Sequence, residues 1–441
     1  MMGNWQVETR RKWWITLRRS CRIGVVALAV LLGVCRSVQA QIEITVPEPG
    51  GAGLPIALSP LAPQPSSSAQ GLGAAFSDIV ARDLDLSGLF RVIDRATYLE
   101  GPDRVMEAEI NFGHWSVLGA LALMKGSVWL EGEALTVEAR LFDVAQRRYL
   151  GGKRYRGRRA DLRRMAHRFA DHVMLLLTGE EGPFNSRIAF VSNRAGGRAK
   201  EVYVTDLTGA EVERLTHARS LILAPHWNPG ATDLFYISYK RGGPYPFRFE
   251  LRSGKERQLS KTIGYSGQWS PDGKTIAVSG ERNGNIDLFL LSPQGRLLRR
   301  LTTSPGIDVS PAWSPDGRRL AFCSSRSGGP QIYMLDLASG KIRRVTFSGA
   351  YNTSPTWSPR GGLIAYTSQS RGMRVKIVDI ASGRERTVAA GEDPSWSPDG
   401  RYVVLSAAGR LWIASQDGRS VKQLTAGGGD DTSPSWSARL Q

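Results

Sequence analysis

The chain has 441 residues, 41% hydrophobic and 22% charged, with three cysteines and a formal net charge of +18. This length is enough for two hydrophobic cores, and so few cysteines exclude a small disulfide-stabilised fold. The excess charge is mostly arginine spread along the chain, densest at residues 147–164 and without interleaved aromatic motifs. We therefore expect no nucleic acid partner, while weak attraction to lipopolysaccharide or anionic lipid stays open.

Residues 1–40 predict a secretory signal peptide. Basic residues between Arg10 and Arg22 precede an apolar run at residues 23–34, and a small-residue cleavage site ends at Ala40, before Gln41. This order is typical of a cleaved signal, and the apolar run is shorter than the ~20 residues that span a bilayer. Cleavage would remove seven basic residues and one acidic residue, which lowers the net charge from +18 to +12.

Two other readings of this segment stay open. The pair Arg10 and Arg11 is a loose twin-arginine pattern, which would change the export route. Cys35 stands in a poor lipid-attachment box because the bulky Val34 precedes it. After cleavage Cys323 is the one remaining cysteine, so no internal disulfide is expected, and we interpret Cys323 as a small buried hydrophobic residue.

Residues 41–180 predict an α/β domain. Strands are expected at residues 42–46, 54–58, 90–93, 120–130, 134–144 and 148–155. The spacing of apolar residues predicts a helix over residues 74–86, stopped by Gly88, and a second over residues 162–176, ended by Gly179. Residues 181–186 follow as a linker.

From residue 187 to residue 441 one sequence motif, which we call the tryptophan phrase, recurs, as in Pro311-Ala-Trp-Ser-Pro-Asp-Gly317. Its tryptophans stand roughly 40 residues apart, a period typical of propellers: Trp227, Trp269, Trp313, Trp357, Trp396 and Trp436. Each unit predicts four short strands, because Pro and Gly place a hairpin turn after the first. The tryptophans are expected to fill the space between sheets and not to stack on a ligand.

The ends of this region predict how the ring closes. The first apolar run, residues 187–192, has no tryptophan phrase before it, and the last phrase, at Trp436, has no run after it. Pairing residues 434–437 with residues 187–192 would close six blades and protect the sheet edges. The predicted fold is thus an N-terminal α/β domain followed by a six-bladed β-propeller closed by the C-terminal strand.

Catalytic spacing is missing from the sequence. There is no G-x-S-x-G elbow, no H-E-x-x-H pair and no G-x-x-x-x-G-K phosphate loop. His167 and His172 are five residues apart, out of register for two ligands on one helix face, and we expect both to be exposed. Asp272, Asp316 and Asp399 are interpreted as solvated turn residues and not as a ring of carboxylates around a metal. These features favour a binding protein over an enzyme.

The loops that enter the innermost strands should converge on the central channel. They contain aromatic, hydroxyl and amide groups, which suit a protein partner: residues 263–266, 306–310, 350–354, 391–393 and 430–433. Asp308, Asp393 and Asp431 offer oxygen ligands for Ca²⁺, although loop capping is the favoured interpretation and no cofactor is expected.

The cleaved signal, the small α/β domain and six W-S-P-D-G blades ending in P-x-W-S together resemble the TolB family of the Tol–Pal system. The resemblance covers essentially the whole mature chain. It implies a monomeric, non-enzymatic adaptor of the periplasm that binds the lipoprotein Pal and the C-terminal domain of TolA. It also implies a role in outer-membrane integrity and constriction during cell division, with peptidoglycan or outer-membrane proteins as further partners.

The resemblance carries over to named positions. The propeller residues that would bind Pal are Ile263, Tyr265, Ser266, Asp308, Val309, Ser310, Asn352, Thr353, Asp431 and Thr432. The segment that would contact TolA consists of Gln41, Ile42, Glu43, Ile44, Thr45 and Val46. Two turns, at residues 228–230 and 359–361, depart from the W-S-P-D-G pattern. A propeller enzyme, either peptidase-like or a metal-dependent lactonase, and a peptidoglycan-binding module stay as alternatives.

Overall fold

The computed structural model describes residues 53–64, 68–262 and 264–441. The predicted signal peptide, the cleavage site between Ala40 and Gln41, and the strand at residues 42–46 lie outside the described residues. Within the described ranges, no helix combines the length and the apolar character needed to cross a membrane.

The N-terminal domain contains a six-stranded sheet in the order β3-β1-β4-β5-β6, with β2 paired to β4. Its strands are β1 (Leu54–Leu58), β2 (Ala62–Pro63), β3 (Phe90–Val92), β4 (Ala122–Glu131), β5 (Ala134–Asp143) and β6 (Arg148–Arg158). Its helices are α1 (Leu72–Ser87), α2 (Phe112–Val117) and α3 (Leu162–Thr178). Strand β6 forms one edge of this sheet.

The two long helices end where the sequence predicts. Gly88 and Gly179 adopt left-handed conformations, with φ of 68° and 78°, which glycine accepts without a steric penalty. The apolar faces of α1 and α3 meet, and the rings of Phe76 and Phe169 lie 5.9 Å apart. Helix α2 was not predicted because it has only six residues; it buries Trp115 completely.

The propeller consists of six four-stranded antiparallel sheets, which we number blades 1 to 6. Blade 1 contains β7 (Ile188–Ser192), β8 (Glu201–Thr205), β9 (Val212–Arg214) and β30 (Thr432–Trp436). Blade 2 contains β10 (Ile222–Trp227), β11 (Asp233–Ser238), β12 (Tyr245–Glu250) and β13 (Lys255–Gln258). Blade 3 contains β14 (Gly264–Trp269), β15 (Ile276–Arg282), β16 (Asn285–Leu291) and β17 (Leu297–Arg300).

The remaining three blades repeat this order. Blade 4 contains β18 (Asp308–Trp313), β19 (Arg319–Ser324), β20 (Gln331–Asp336) and β21 (Ile342–Arg344). Blade 5 contains β22 (Tyr351–Trp357), β23 (Leu363–Ser370), β24 (Gly372–Asp379) and β25 (Glu385–Ala390). Blade 6 contains β26 (Glu392–Trp396), β27 (Tyr402–Ala407), β28 (Arg410–Ser415) and β29 (Val421–Gln423).

The predicted closure of the ring is confirmed. Strand β30 pairs with β7 in antiparallel register, with Ser435 opposite Ala189 and Trp436 opposite Ile188. The C-terminal strand is therefore the innermost strand of blade 1. This pairing covers the inner edge of β7 and gives blade 1 the same four-stranded order as the other blades.

The repeated tryptophans are buried between blades, as predicted. Several of them also join neighbouring blades through their indole N–H groups. Trp313 Nε1 donates to the carbonyl of Gln268 in the preceding blade at 3.2 Å, and Trp396 Nε1 donates to that of Thr356 at 3.2 Å. These side chains therefore combine apolar filling with a satisfied polar end.

The aspartates of the W-S-P-D-G turns serve local hydrogen bonding, as expected. Asp316 Oδ1 accepts from the amide of Arg318 at 3.0 Å and from the Ser314 hydroxyl at 2.5 Å. The expectation that all three repeated aspartates are solvated is wrong for Asp399, which is buried. Arg360 packs over that turn and donates to the Asp399 carbonyl.

Candidate partner-binding surface of the propeller

Each innermost strand begins at the mouth of the central channel, and five of them turn through a residue with positive φ just before a proline. These residues, with φ between 48° and 54°, are Ala224, Ser310, Ser354, Asp393 and Ser433. At each position the pairing register with the second strand shifts, as in a β-bulge. The bulges direct small polar groups toward the channel.

The channel enclosed by these bulges is narrow and largely satisfied within itself. Its volume is about 90 Å³. The Asp393 carboxylate accepts from Ser354 Oγ at 2.9 Å and from Ser433 Oγ at 3.0 Å, so it links three adjacent blades. Burial lowers the pKa of His226, which also lines the channel, to about 4, and its ring is therefore neutral at pH 7. The channel therefore leaves little room for a ligand.

Each of two mouth loops is held by its own buried ion pair. Arg326 Nη2 contacts both carboxylate oxygens of Asp308, at 3.0 and 2.9 Å. Arg194 Nη2 contacts both oxygens of Asp431 at 2.7 Å each. In both pairs the aspartate side chain is inaccessible to solvent, and each arginine lies over two aromatic rings of its own blade. These pairs hold the loops in one conformation.

Asn352 occupies the corresponding position in blade 5. Its amide nitrogen donates to Gln331 Oε1 and to the Ser348 carbonyl, both at 2.8 Å. Asp308, Asn352 and Asp431 each stand two residues before a bulge, so three predicted contact residues are brought to the mouth. Both aspartates use their carboxylates internally, and Asn352 uses its amide nitrogen internally, while its buried Oδ1 has no hydrogen-bond partner among the described residues. Their direct contact with a partner stays a prediction.

The other predicted propeller residues are partly exposed at the mouth: Tyr265, Ser266, Val309, Ser310, Thr353 and Thr432. Ile263 and the segment Gln41 to Val46 lie outside the described residues. In the part of the chain that the structure describes, no three His, Cys, Asp or Glu side chains come together as a cation site. Asp308, Asp393 and Asp431 do not converge on a common Ca²⁺ position.

Sequence reasoning missed the apolar residues that surround the mouth. Five large hydrophobic side chains are exposed on this face, three on loops and two at the starts of β22 and β24: Leu221, Ile307, Phe347, Tyr351 and Met373. Phe347 is 73% exposed and Ile307 is 49% exposed. Apolar residues placed after the fourth strand of a unit, where turn residues are usual, are the signal that could have identified all of them except Met373, which follows the second strand of blade 5.

The N-terminal domain docks on the opposite face, through a buried charge cluster. His167 on α3 places Nδ1 2.7 Å from Asp83 Oδ2 and Nε2 3.2 Å from Asp206 Oδ2. Arg163 also contacts Asp206, at 2.5 Å. The expectation that His167 is exposed is therefore wrong, and His172 is half-buried as well. The prediction for His167 failed because its partners come from distant parts of the chain.

The pKa values of this cluster follow from burial and charge. Burial alone would lower the pKa of His167, but the carboxylates of Asp83 and Asp206 raise it to about 10. Burial raises the pKa of Asp83. The pKa of Asp206 is lowered, since hydrogen bonds from His167 and Thr208 outweigh the opposing effect of burial. At neutral pH His167 is therefore an imidazolium that contacts the Asp206 carboxylate and the buried carboxyl group of Asp83.

Other contacts extend the same interface. Lys422 of blade 6 contacts Asp85 at 2.7 Å, and the hydroxyl of Tyr402 donates to the Ser87 carbonyl at 3.0 Å. Asp206 lies in the turn between the third and fourth strands of blade 1, Tyr402 follows the turn between the first and second strands of blade 6, and Lys422 follows the turn between its third and fourth. Those turns face away from the mouth, which leaves the mouth loops uncovered by the N-terminal domain.

Comparison with known proteins agrees with this architecture. The family described as TolB beta propeller domain matches residues 175–440, and the family described as TolB amino-terminal domain matches residues 41–150. A crystal structure of TolB from Acinetobacter baumannii superposes with a TM-score of 0.77 at 28% identity, covering 88% of this chain and 97% of that one.

Curated relatives carry the same name. The chain is 42% identical over 215 residues to the Tol-Pal system protein TolB of Syntrophotalea carbinolica. This match covers 48% of the chain and 49% of the relative, so the chain spans about half the length of that protein. It is 35% identical over 300 residues to that of Anaeromyxobacter dehalogenans, covering 67% and 68%. Since both domain families match in their order along the chain, the protein belongs to the TolB family of the Tol-Pal system.

Proposed function

We propose that this protein is a non-enzymatic adaptor of the Tol–Pal envelope complex in the periplasm. The propeller mouth would bind the lipoprotein Pal, and the segment Gln41 to Val46 would bind the C-terminal domain of TolA. The observation that carries the first part is the group of exposed apolar side chains around a mouth whose channel holds only about 90 Å³. Such a surface suits a protein partner better than a small substrate.

The rigidity of the mouth supports this assignment. The buried pairs Arg326–Asp308 and Arg194–Asp431 fix two of the loops that carry the half-exposed residues Val309 and Thr432. A surface that is already ordered loses little conformational entropy when a partner binds. Aromatic and aliphatic side chains with high exposure, such as Phe347, are the usual anchors of such interfaces.

Binding of the soluble domain of Pal to the purified mature chain tests the proposal. Replacing Ile307 or Phe347 with Asp should weaken binding about tenfold or more, because an anchor residue typically contributes at least ~1–2 kcal/mol. Leu297→Asp is the matched control: Leu297 is 54% exposed, but it lies on the outermost strand of blade 3. Equal affinities for the mouth variants and the control would refute the assignment of the mouth.

The TolA contact needs a separate measurement. Deleting residues 41–46 should abolish binding to the C-terminal domain of TolA and leave Pal affinity unchanged. Loss of both activities would indicate general damage to the protein. The mass of the exported protein tests cleavage after Ala40, since an N-terminus at any other residue contradicts the predicted site.

The cellular role follows from the same two contacts. Cells that carry Phe347→Asp should leak periplasmic proteins and constrict late during division, whereas cells with Leu297→Asp should behave as wild type. Normal outer-membrane integrity in the Phe347 variant, together with lost Pal binding in vitro, would separate this contact from the proposed cellular role.

A further inference from the structure

The edge of the N-terminal sheet offers unused backbone hydrogen-bonding groups. Strand β6 pairs only with β5, and its second half runs without a register shift up to Arg158. The Arg158 amide donates to Asp161 Oδ2 at 2.8 Å and so points away from β5. Because these groups alternate along an antiparallel strand, the amides and carbonyls of Gly152, Arg154 and Arg156 also point outward. No described residue bonds these three amides.

A basic groove runs beside this edge. It lies between β6, helix α3 and the last residues of the chain, and its volume is about 760 Å³. Six basic residues from three separate parts of the chain border it: Lys153, Arg154, Arg156, Arg164, Arg168 and Arg439. The side chain of Lys153 lies on the α3 side of the sheet with those of Arg164 and Arg168, whereas the side chains of Arg154 and Arg156 alternate to the other face. The groove is therefore an open channel with a free strand edge along one side and positive charge around it.

Few carboxylates neutralise this charge. Among the described residues, no carboxylate lies within salt-bridge distance of Lys153, Arg154 or Arg168. The guanidinium groups of Arg154 and Arg168 lie over aromatic rings, at 5.1 and 5.8 Å from the centroids of Trp129 and Tyr155. These aromatic contacts orient the cations without cancelling their charge.

Two acidic residues, Asp171 and Glu181, also line the groove, against six basic ones. The carboxylate of Asp171 does not offset the cations. It turns away from the groove and accepts the backbone amides of Phe184 and Asn185 at 2.7 and 3.0 Å. The guanidinium of Arg439 donates to the carbonyls of Gly182 and Glu181. Both carbonyls are neutral acceptors, so this arginine keeps its full charge at the end of the groove.

We propose that the groove binds an extended acidic segment of a partner protein, which adds a strand to the β6 edge. The backbone of the segment would pair with the outward groups of Gly152, Arg154 and Arg156. Its acidic side chains would meet the cations of the groove walls. Since side chains on one face of a strand recur every two residues, the preferred segment carries Asp or Glu at alternate positions.

Protection against aggregation is a simpler explanation for charges on an edge strand. It accounts for Lys153, Arg154 and Arg156, which lie on β6 itself. It does not account for Arg164 and Arg168 on α3, which face the same groove from another element. Moreover, a basic edge repels neutral and basic strands but attracts acidic ones. The observations therefore favour selection of one class of strand over general blocking.

Fluorescence anisotropy with the full exported chain tests this proposal. The probe is a labelled eight-residue peptide in which Glu alternates with Thr or Val. One control peptide has Lys in place of Glu and tests charge; the other is N-methylated at alternate residues and tests backbone pairing. We expect saturable binding of the acidic probe alone, weakened by salt. Equal binding of the N-methylated peptide, equal binding of inorganic polyphosphate, or no binding of the acidic probe would overturn the proposal.

Variants separate the backbone contribution from charge. Arg154→Pro and Arg154→Ala lose the same cation, but only the first removes an amide that an added strand would use, and proline is tolerated at a free edge. We expect affinity about threefold to tenfold lower for the proline variant. The double variant Lys153→Glu/Arg168→Glu, in the groove, should weaken binding of the acidic peptide about tenfold or more. The control double variant Lys341→Glu/Arg371→Glu, on blades 4 and 5, changes the net charge equally and should not weaken it. Equal affinity of the two Arg154 variants would contradict strand addition.

Discussion

The buried imidazolium of His167 predicts how strongly the two domains are held together. His167 is 5% exposed and lies between the carboxylates of Asp83 and Asp206. Replacing it with Gln removes the cation nearest to Asp83, which is fully buried and whose second oxygen already has no hydrogen-bond partner. Asp206 keeps its contact with Arg163. The variant His167→Gln therefore leaves chiefly Asp83 uncompensated.

Two arguments give a similar magnitude. Removing one partner of a buried ion pair typically costs about 3–5 kcal/mol of unfolding free energy. The pKa of His167 rises from 6.5 to about 10 in the folded protein. At 1.36 kcal/mol per pKa unit, this rise corresponds to a stabilisation on the order of 5 kcal/mol. Because burial already raises the pKa of Asp83, proton uptake there relieves part of the loss. We therefore expect His167→Gln to lower the unfolding free energy by about 3 kcal/mol.

The pH dependence has a definite sign. A group whose pKa is higher in the folded state stabilises the fold fully below its unfolded pKa, and this contribution disappears as the pH rises through the folded pKa. For His167 the window runs from 6.5 to about 10. Asp206, whose pKa is lowered, stays charged throughout this window. Wild-type stability should therefore fall across the window. Burial raises the pKa of Asp171 to about 8, so this carboxyl adds its own slope below that pH. His167→Gln should therefore reduce the slope most clearly between pH 8 and 10.

Urea unfolding followed by tryptophan fluorescence across this pH range measures both effects. His172→Gln is the matched control, because His172 lies on the same helix and is half-buried without a carboxylate partner among the described residues. Its change in unfolding free energy should stay within about 1 kcal/mol. If His167→Gln changes stability no more than His172→Gln and keeps the wild-type pH profile, the charge cluster does not hold the domains together.

Three further predictions concern the propeller. Arg326→Leu leaves the buried Asp308 without its cation and should reduce the unfolding free energy by about 3–5 kcal/mol, which thermal unfolding detects as a lower Tm. Gly209→Ala should destabilise the fold by more than about 1 kcal/mol in the same assay, because φ is 65° and the added Cβ would lie 2.0 Å from the Leu424 carbonyl oxygen. Burial raises the pKa of Cys323 to about 11, so maleimide should label this thiol only after denaturant is added; rapid labelling of the native protein would contradict that burial.

Local signals in the sequence predicted the elements whose causes are local. Gly88 and Gly179 end their helices because a left-handed residue follows the last turn, and this depends on a single position. The closure of the ring also followed from the sequence, since one unit lacks its first strand and the last phrase supplies it. Periodicity therefore specified the architecture of the propeller.

Burial of charged residues could not be predicted in the same way. His167 meets an aspartate 84 residues earlier and another 39 residues later, so nothing in its own helix indicates its environment. Asp399 has the same turn sequence as Asp316, but Arg360 from the neighbouring blade covers it. At the mouth, Asp308 and Asp431 resemble free acidic loop residues until their arginine partners are located.

The departures from the repeated turn show why the two faces of the propeller differ. Where Asp316 stands in blade 4, blade 5 carries Arg360, which together with Arg401 of blade 6 contacts Glu180 at the end of the N-terminal domain. In blade 2 the turn begins with Asn228, whose side-chain oxygen accepts the amides of Thr232 and Asp233 at 2.9 and 3.0 Å. The departure in blade 5 thus contributes to docking of the N-terminal domain, whereas the departure in blade 2 keeps the turn through a different set of hydrogen bonds. Because docking uses these short turns, the loops of the mouth remain free to evolve for a partner without disturbing the contact between domains.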